Sequence, residues 1–208
     1  MNKEGRKFIY AFLTIALFCI LTQSLIGFII AGIFIFLATF SIYFFRDPRR
    51  NSNSVEKEIL SPADGKVVFI GDYKDPAFGE CVRIGIFMSL FDVHVNRAPF
   101  AGTVEMSEHI SGKFLHAEKE RSFENNERQI VGISTDYGPL SVHLIAGMIA
   151  RRIVPFIQEG DELKKGQRIG LIRFGSRVET LIPRKKAEII AKKGQKVKCG
   201  ESIIAKWR

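Results

Sequence analysis

Gly175-Ser176 is the dipeptide of this sequence whose residue types could do the most distinctive chemistry. A serine that follows glycine on a tight turn can attack the carbonyl of its own peptide bond, provided that a base takes the hydroxyl proton and donors stabilise the oxyanion. Gly-Ser is also a common turn sequence, and one such pair by itself is typical of an ordinary turn. The rest of the chain has to supply the base, the donors and the turn.

Histidines and carboxylates are the residue types that could assist, and the chain has four histidines and 22 carboxylates, with His94 and Asp64 among them. Histidine exchanges its proton near neutral pH, so a histidine such as His94 could deprotonate Ser176, and a carboxylate such as Asp64 could orient and support the imidazole. Each residue also has a simpler interpretation. Asp64 precedes Gly65 in a common turn pair, and a single histidine is more often a structural residue of the core or the surface.

Two further polar clusters could bind a substrate. Asn126-Glu127-Arg128 could order a site or contact a head group, and Arg151-Arg152 could meet a lipid phosphate. An exposed loop and a solvated charge pair would give the same sequences, so both interpretations stay open.

The remaining histidines and the cysteines lack the spacing of metal ligands, and no metal site is expected. His143 lies in the apolar stretch 141–146 and is predicted to be a satisfied core residue, whereas His109 and His116 lie in polar or loop sequence. The three cysteines are predicted to be reduced, structural thiols of a cytoplasmic setting: Cys19, Cys81 and Cys199.

Residues 1–45 are predicted to form a membrane-anchoring helical hairpin. Residues 8–45 contain no charged side chain, and Thr22-Gln23-Ser24 interrupts the run near its middle. Basic residues flank both ends, which by the positive-inside tendency places both ends, and the domain that follows, on the cytoplasmic side of the cell membrane. A cleaved signal peptide is a poorer interpretation, because no small-residue cleavage pattern follows. Full spanning and shallow insertion both remain open.

Residues 46–208 are predicted to form one mostly β domain. Six short stretches are rich in β-branched and aromatic residues and are bounded by Gly, Pro or Asp: 66–70, 82–87, 140–146, 167–172, 177–182 and 202–205. Of the formal net charge of +9, the N-terminal Lys3, Glu4, Arg6 and Lys7 carry +2, and the remaining +7 on this domain suits a surface that faces anionic phospholipid. No helix-turn-helix, zinc-finger or aromatic stacking pattern accompanies the basic residues, so nucleic acid is not an expected partner.

Two internal repeats refine the fold class. Residues 160–169 recur as 194–203, and residues 62–67 are echoed by 99–104. Such glycine-bounded hairpins resemble those of biotinyl and lipoyl carrier domains, so the fold class we expect is a lipoyl/biotinyl-like barrel-sandwich after the helical hairpin; generic hairpin turns are the alternative. A carrier domain presents a modifiable lysine at its hairpin tip, whereas this chain places Gly175-Ser176 between residues 160–169 and their repeat at 194–203.

Five motifs in order then resemble one family. They are Phe44-Phe45-Arg46-Asp47-Pro48, Ser61-Pro62-Ala63-Asp64-Gly65-Lys66-Val67, Phe91-Asp92-Val93-His94-Val95-Asn96-Arg97, Asn126-Glu127-Arg128 and Arg173-Phe174-Gly175-Ser176-Arg177. Together they are similar to phosphatidylserine decarboxylase in its short prokaryotic form, from about residue 44 to the C-terminus. Each motif alone is weak, but five in the right order are specific.

The resemblance implies a proenzyme that cleaves itself between Gly175 and Ser176. The products would be a β chain (1–175) and an α chain (176–208) that remain together as a heterodimer, with a covalent pyruvoyl cofactor derived from Ser176. The implied reaction decarboxylates phosphatidylserine to phosphatidylethanolamine through a Schiff base, and the implied self-cleavage residues are Asp64, His94 and Ser176.

Three questions stay open at this stage. Longer relatives carry two histidines three apart, but here His94 is followed by Val95, Asn96 and Arg97, so the second histidine is absent. Nothing in the sequence distinguishes a diacyl serine lipid from an ether-linked archaeal one, or reports the oligomeric state. The alternative function is a noncatalytic lipoyl-like hairpin module of a membrane assembly.

Overall fold

The computed structural model describes residues 3–52, 56–77, 79–148, 152–173 and 175–208. Arg151 and Phe174, which belong to two of the motifs above, lie outside the described residues. The chain forms two compact units, Met1–Arg49 and Arg50–Arg208.

The first unit is a hairpin of two helices, α1 (Lys3–Leu21) and α2 (Leu25–Phe44). The polar interruption sets the turn, because Ser24 caps α2 by accepting a hydrogen bond from the Gly27 backbone N–H at 3.0 Å. The helices pack antiparallel, with the rings of Phe12 and Phe34 5.9 Å apart between centroids. The predicted helical hairpin is therefore confirmed.

The exposed surface of α2 is strongly apolar. Among the described residues, α2 is the one helix long and apolar enough to cross a membrane; its 20 residues span about 30 Å. Its buried positions are mostly small residues such as Gly27, Ala31 and Ala38, while large side chains such as Phe36 stay exposed. This distribution is a weak indication of membrane association.

The second unit is built mainly from strands. They are β1 (Glu58–Leu60), β2 (Gly65–Asp75), β3 (Gly79–Met88), β4 (Val95–Arg97), β5 (Gly102–Ile110), β6 (Arg128–Thr135), β7 (Gly138–Ala146), β8 (Ile153–Pro155), β9 (Glu162–Leu163), β10 (Arg168–Ile172), β11 (Ser176–Pro183), β12 (Ala187–Ile189), β13 (Lys196–Val197) and β14 (Ile203–Trp207). The described residues also form a short α-helix, α3 (Ser122–Asn125), and a 3₁₀ helix (Arg184–Lys186).

The mostly β fold and all six strands expected from composition are confirmed. Of the long strands, the pattern analysis missed β5 and β6, because β5 alternates short apolar and polar residues and two of its positions are glutamate. The two strands pair with each other, β6 also pairs with β7, and β5 also pairs with β9, and a local pattern does not report such pairing.

Eight strands form a curled sheet in the order β13-β2-β3-β11-β7-β6-β5-β9. Two three-stranded sheets, β1-β14-β12 and β4-β10-β8, complete the unit. The principal core collects buried side chains from all three sheets, including Ile84, Leu144, Val178 and Trp207. Strand β11 lies near the middle of the large sheet, between β3 and β7.

The internal repeats occupy equivalent places at opposite edges of the large sheet. Strand β9 pairs with the start of β5, and β13 pairs with the start of β2. The turn before each short strand makes the same bond, from Gly160 N–H to the Val104 carbonyl and from Gly194 N–H to the Val67 carbonyl, both at 2.8 Å. The sequence repeats are therefore structural repeats.

We expect Ile182→Ala to lower the free energy of unfolding by about 3 kcal/mol, because it leaves a cavity in a core that neighbouring strands prevent from closing. Ile182 is fully buried on β11. Urea denaturation measures the change. Ile190→Ala is the matched control, since Ile190 is 44% exposed and should lose less than about 1 kcal/mol. Equal losses at the two positions would contradict the assignment of the core.

Candidate active site

The Gly175-Ser176 bond lies in the connection between β10 and β11, where the chain passes from a three-stranded sheet into the large sheet. The predicted strand-to-strand turn is therefore present. Gly175 has a φ of 65°, which side chains disfavour, while open space surrounds the position that a Cβ would take. Glycine is needed at this position for its backbone conformation.

Ser176 is the first residue of β11 and is fully buried. Its cross-strand partners are Met88 on β3 and Ala146 on β7, so pairing on both sides fixes its backbone. The Ser176 hydroxyl donates to the Met88 sulfur at 3.3 Å. A thioether is a weak acceptor that takes no proton, so this contact orients the hydroxyl without activating it.

His94 reaches the same place from the other sheet. It immediately precedes β4, and the pairing of β4 with β10 puts the His94 carbonyl opposite the Ile172 N–H, at 3.3 Å. The imidazole Nδ1 contacts the Asp92 carbonyl at 2.9 Å, and a carbonyl only accepts, so the network assigns the proton to Nδ1. Nε2 then carries the lone pair, which accepts the Gly175 N–H at 3.4 Å.

Asp64 is held by other groups. Both of its carboxylate oxygens accept from Arg50 Nη2, at 2.9 and 2.7 Å, and one accepts the Cys199 backbone N–H at 2.7 Å. The Cys199 thiol in turn contacts the Val95 carbonyl, next to His94, at 3.5 Å. The hydrogen bonds thus bring His94 to the dipeptide, whereas the Asp64 carboxylate is bonded to Arg50 and to the backbone of Cys199.

The cysteines are free thiols, as expected. Burial raises the pKa of Cys199, and burial also raises the pKa of Cys81 to about 11. Both remain protonated at neutral pH and unreactive as nucleophiles.

Asn126 is fully buried, and both ends of its amide are bonded to backbone. Its Nδ2 donates to the carbonyls of Leu115 and Ala146, at 2.9 and 2.8 Å, while its Oδ1 accepts the Leu115 N–H. Glu127 lies 3.8 Å from His109, and Arg128 donates to backbone carbonyls. Asn126 therefore ties together the chain segments that flank Ser176, because Ala146 is the cross-strand partner of that serine.

A buried ionic cluster lies behind the dipeptide. Arg177 bonds Glu179 through its Nε and reaches the Glu118 and Lys119 carbonyls, at 3.4 and 3.5 Å. Arg83 lies 3.8 Å from Glu179 and also bonds the exposed carboxylate of Glu120 at 2.9 Å.

The same cluster is stabilised by aromatic rings and by its own opposite charges. The Arg83 guanidinium lies between the rings of Phe69 and Phe123, at 4.0 and 4.3 Å from their centroids. Burial raises the pKa of Glu179, while Arg177 and Arg83 lower it. The cluster anchors the residues that immediately follow Ser176.

Sequence reasoning missed three residues of the site: Met88, Asn96 and Gly147. Asn96 is fully buried and donates to the Met88 sulfur at 3.6 Å, and its Oδ1 has no hydrogen-bond partner within the described ranges. Gly147 packs against the carbonyl of Gly175. A methionine in an apolar strand and a glycine after one are ordinary in sequence, so only their three-dimensional neighbours mark them.

Comparison with known proteins shows first the class of protein to which this chain belongs, which is the carboxy-lyases. The family model described as phosphatidylserine decarboxylase matches residues 37–205, which is well over half of the chain. The chain therefore belongs to the phosphatidylserine decarboxylase family, as the five motifs predicted, and it is a proenzyme-type lyase of phospholipid biosynthesis rather than a noncatalytic hairpin module.

Curated relatives agree over nearly the full length. A phosphatidylserine decarboxylase proenzyme of Carboxydothermus hydrogenoformans is 41% identical over 99% of this chain and 96% of its own. One of Erythrobacter litoralis is 42% identical over 99% of this chain and 87% of its own. A third, of Syntrophus aciditrophicus, is 41% identical over 97% and 95%.

His143 is a buried histidine apart from the dipeptide. Its Nε2 contacts the Ser141 hydroxyl at 3.2 Å, and its ring stacks on Phe123 with centroids 5.5 Å apart. Nδ1 has no hydrogen-bond partner among the described residues. The predicted core position of His143 is therefore confirmed, whereas the prediction that all its polar atoms are hydrogen-bonded is wrong. Burial lowers the pKa of His143 to about 4; Asp75 raises it, and Arg128 and Arg83 lower it.

This lowered pKa predicts a pH dependence of stability. Below about pH 6.5 the unfolded chain protonates His143 while the folded chain does not, so His143 lowers the free energy of unfolding progressively down to about pH 4. We expect His143→Gln to remove up to about 3 kcal/mol of that loss across the window, measured by denaturation at stepped pH. An unchanged slope in His143→Gln would disprove neutral burial.

Proposed function

We propose that this chain cleaves itself between Gly175 and Ser176, converts Ser176 into a pyruvoyl group, and then decarboxylates phosphatidylserine. The observation that carries the proposal is the meeting of three groups at one turn. A fully buried serine fixed in the sheet, a glycine with positive φ and the lone pair of His94 converge where β10 passes into β11.

The cleavage steps use only atoms of the chain and one water. Ser176 Oγ bonds to the Gly175 carbonyl carbon as its proton leaves, and the carbon–nitrogen bond breaks to give an ester and a free amine. Removal of the Ser176 Cα proton expels the β chain as a carboxylate and leaves dehydroalanine. Tautomerisation, addition of water and loss of ammonia then give the pyruvoyl end of the α chain.

His94 is the base in this proposal. Its Nε2 carries no proton in the assigned tautomer and accepts the N–H of Gly175, the residue whose carbonyl Ser176 would attack. In this proposal the Ser176 hydroxyl turns away from Met88 and gives its proton to this nitrogen. Asp64 acts through position. Its carboxylate fixes the backbone of Cys199, and the Cys199 thiol contacts the carbonyl of Val95, the residue that follows His94.

The residues around Ser176 fit a pyruvoyl group. Such a group supplies a ketone that serves as an electron sink when an amino acid loses carbon dioxide. The new chain end would stay in place, because β11 pairs with β3 and β7, and the neighbouring Arg177 is buried against Glu179. The α chain also supplies β14, the central strand of a second sheet. The α and β chains therefore remain a heterodimer.

The substrate we propose is phosphatidylserine or a close serine lipid, because this is what the family and its curated relatives are named for. Asn126, Glu127 and Arg128 order the site, with Asn126 fastening the segment beside Ser176. The apolar surface of α2 anchors the chain to the cell membrane, with the catalytic unit on the cytoplasmic side, where basic residues flank the apolar run.

We expect the purified wild-type protein to give two chains by intact mass, the smaller starting with a pyruvoyl group that hydroxylamine traps. Ser176→Ala should remain one chain and release no carbon dioxide from serine lipid, because it lacks the nucleophile. Ser141→Ala, which alters a buried serine of the neighbouring strand, should cleave normally. An intact, inactive wild-type protein would refute the proposal. Parallel assays on diacyl and ether-linked serine lipids establish the substrate.

We expect His94→Gln to slow the appearance of the two chains at least about 100-fold, because an amide cannot accept the hydroxyl proton. A time course of chain masses after synthesis measures the rate. His143→Gln is the matched control, a buried histidine away from the dipeptide, and should cleave at the wild-type rate at pH 7.5. Normal cleavage in His94→Gln would assign the base to another group.

A further inference from the structure

Gly147 directly follows β7, and its backbone lies against the carbonyl of Gly175. A Cβ placed on Gly147 would lie 2.2 Å from the Gly175 oxygen and 3.1 Å from its carbon. A Cβ atom essentially never approaches a non-bonded atom below 3.0 Å, so an alanine here requires one of the two segments to move by about 1 Å. The carbonyl concerned is the one that Ser176 would attack.

The reason for glycine at this position is space. Its φ lies outside the left-handed range in which glycine is needed for conformation, unlike that of Gly175. The residue is also buried, so a new methyl group has no solvent into which it could turn.

The Gly147 segment is held on both sides. The preceding residue, Ala146, accepts a hydrogen bond from Asn126 at 2.8 Å and donates its N–H to the Glu127 carbonyl at 2.9 Å. On the other side lies Ala117, whose methyl would be 3.1 Å from the added Cβ and whose carbonyl is bonded by Ser122. The Gly175 carbonyl, in a connection between two sheets, is the neighbour with most freedom to yield.

We propose that Gly147 is a positioning residue for self-cleavage. Its missing side chain leaves the Gly175 carbonyl oxygen in the orientation that Ser176 needs and gives the oxygen room to move as the carbon becomes tetrahedral. This inference rests on the proposed self-cleavage and adds to it the residue that shapes the scissile carbonyl. The proposed network then runs from Asn126 through Ala146 and Gly147 to the reacting bond.

The test is the cleavage rate of Gly147→Ala. We expect the precursor to be cleaved about 100-fold more slowly than the wild type, since a displacement of about 1 Å misaligns the attack. Gly132→Ala is the matched control, because its added Cβ meets only Met106, at 3.3 Å, away from the dipeptide, and its cleavage rate should stay within about twofold of the wild type.

A second substitution separates positioning from simple damage to the fold. Ala117→Gly, introduced into Gly147→Ala, gives the new methyl group room to shift away from the carbonyl and should recover at least about tenfold of the lost rate. Thermal unfolding of Gly147→Ala in the uncleavable Ser176→Ala background should stay within a few degrees of Ser176→Ala alone.

The outcomes are distinct. Cleavage of Gly147→Ala at the wild-type rate overturns the inference while leaving self-cleavage intact. Slow cleavage together with a much lower unfolding temperature, and no recovery in the double variant, overturns it in favour of a structural role. A wild-type chain that stays uncleaved removes the proposed function itself, and this inference with it.

Discussion

The pairing of β11 on both sides is the constraint on which the rest of the molecule depends. Ser176 begins this strand, with Met88 and Ala146 as its neighbours in β3 and β7. The backbone of the serine is therefore fixed, while the residue before it lies in an irregular connection with positive φ. The bond proposed to break therefore lies between a strand fixed on both sides and an irregular connection, so it could break while the sheet stays intact.

A buried cluster of charged side chains also holds β11 in place. Arg177 and Glu179 point to the face of β11 opposite the principal core, where Arg83 and two aromatic rings cover them. Removing one partner of such a cluster would leave an uncompensated buried charge, which is far more costly than the loss of a surface ion pair. The cluster thus ties the strand to the sheet by means other than the bond that is proposed to break.

The two repeats explain how a small domain presents a reactive connection. Each repeat places a short strand at one edge of the large sheet, and the chain between them supplies β10, the dipeptide and β11. The short strands β9 and β13 of the repeats form the two edges of the large sheet, and β11, which begins with Ser176, lies near its centre. His94 arrives from a different sheet, through the pairing of β4 with β10.

The sequence by itself determined the helical hairpin, the central strands, the repeats and the family, because apolar periodicity, turn residues and short motifs are local properties of the chain. The chemistry of the Gly-Ser pair also singled out Ser176, and the family resemblance added His94 and Asp64. Only the tertiary structure decided which of them meet: His94 lies at the dipeptide, whereas Asp64 bonds Arg50 and Cys199. Strand pairing joins residues that are distant in sequence, and steric fit at a glycine such as Gly147 depends on atoms that no local pattern names.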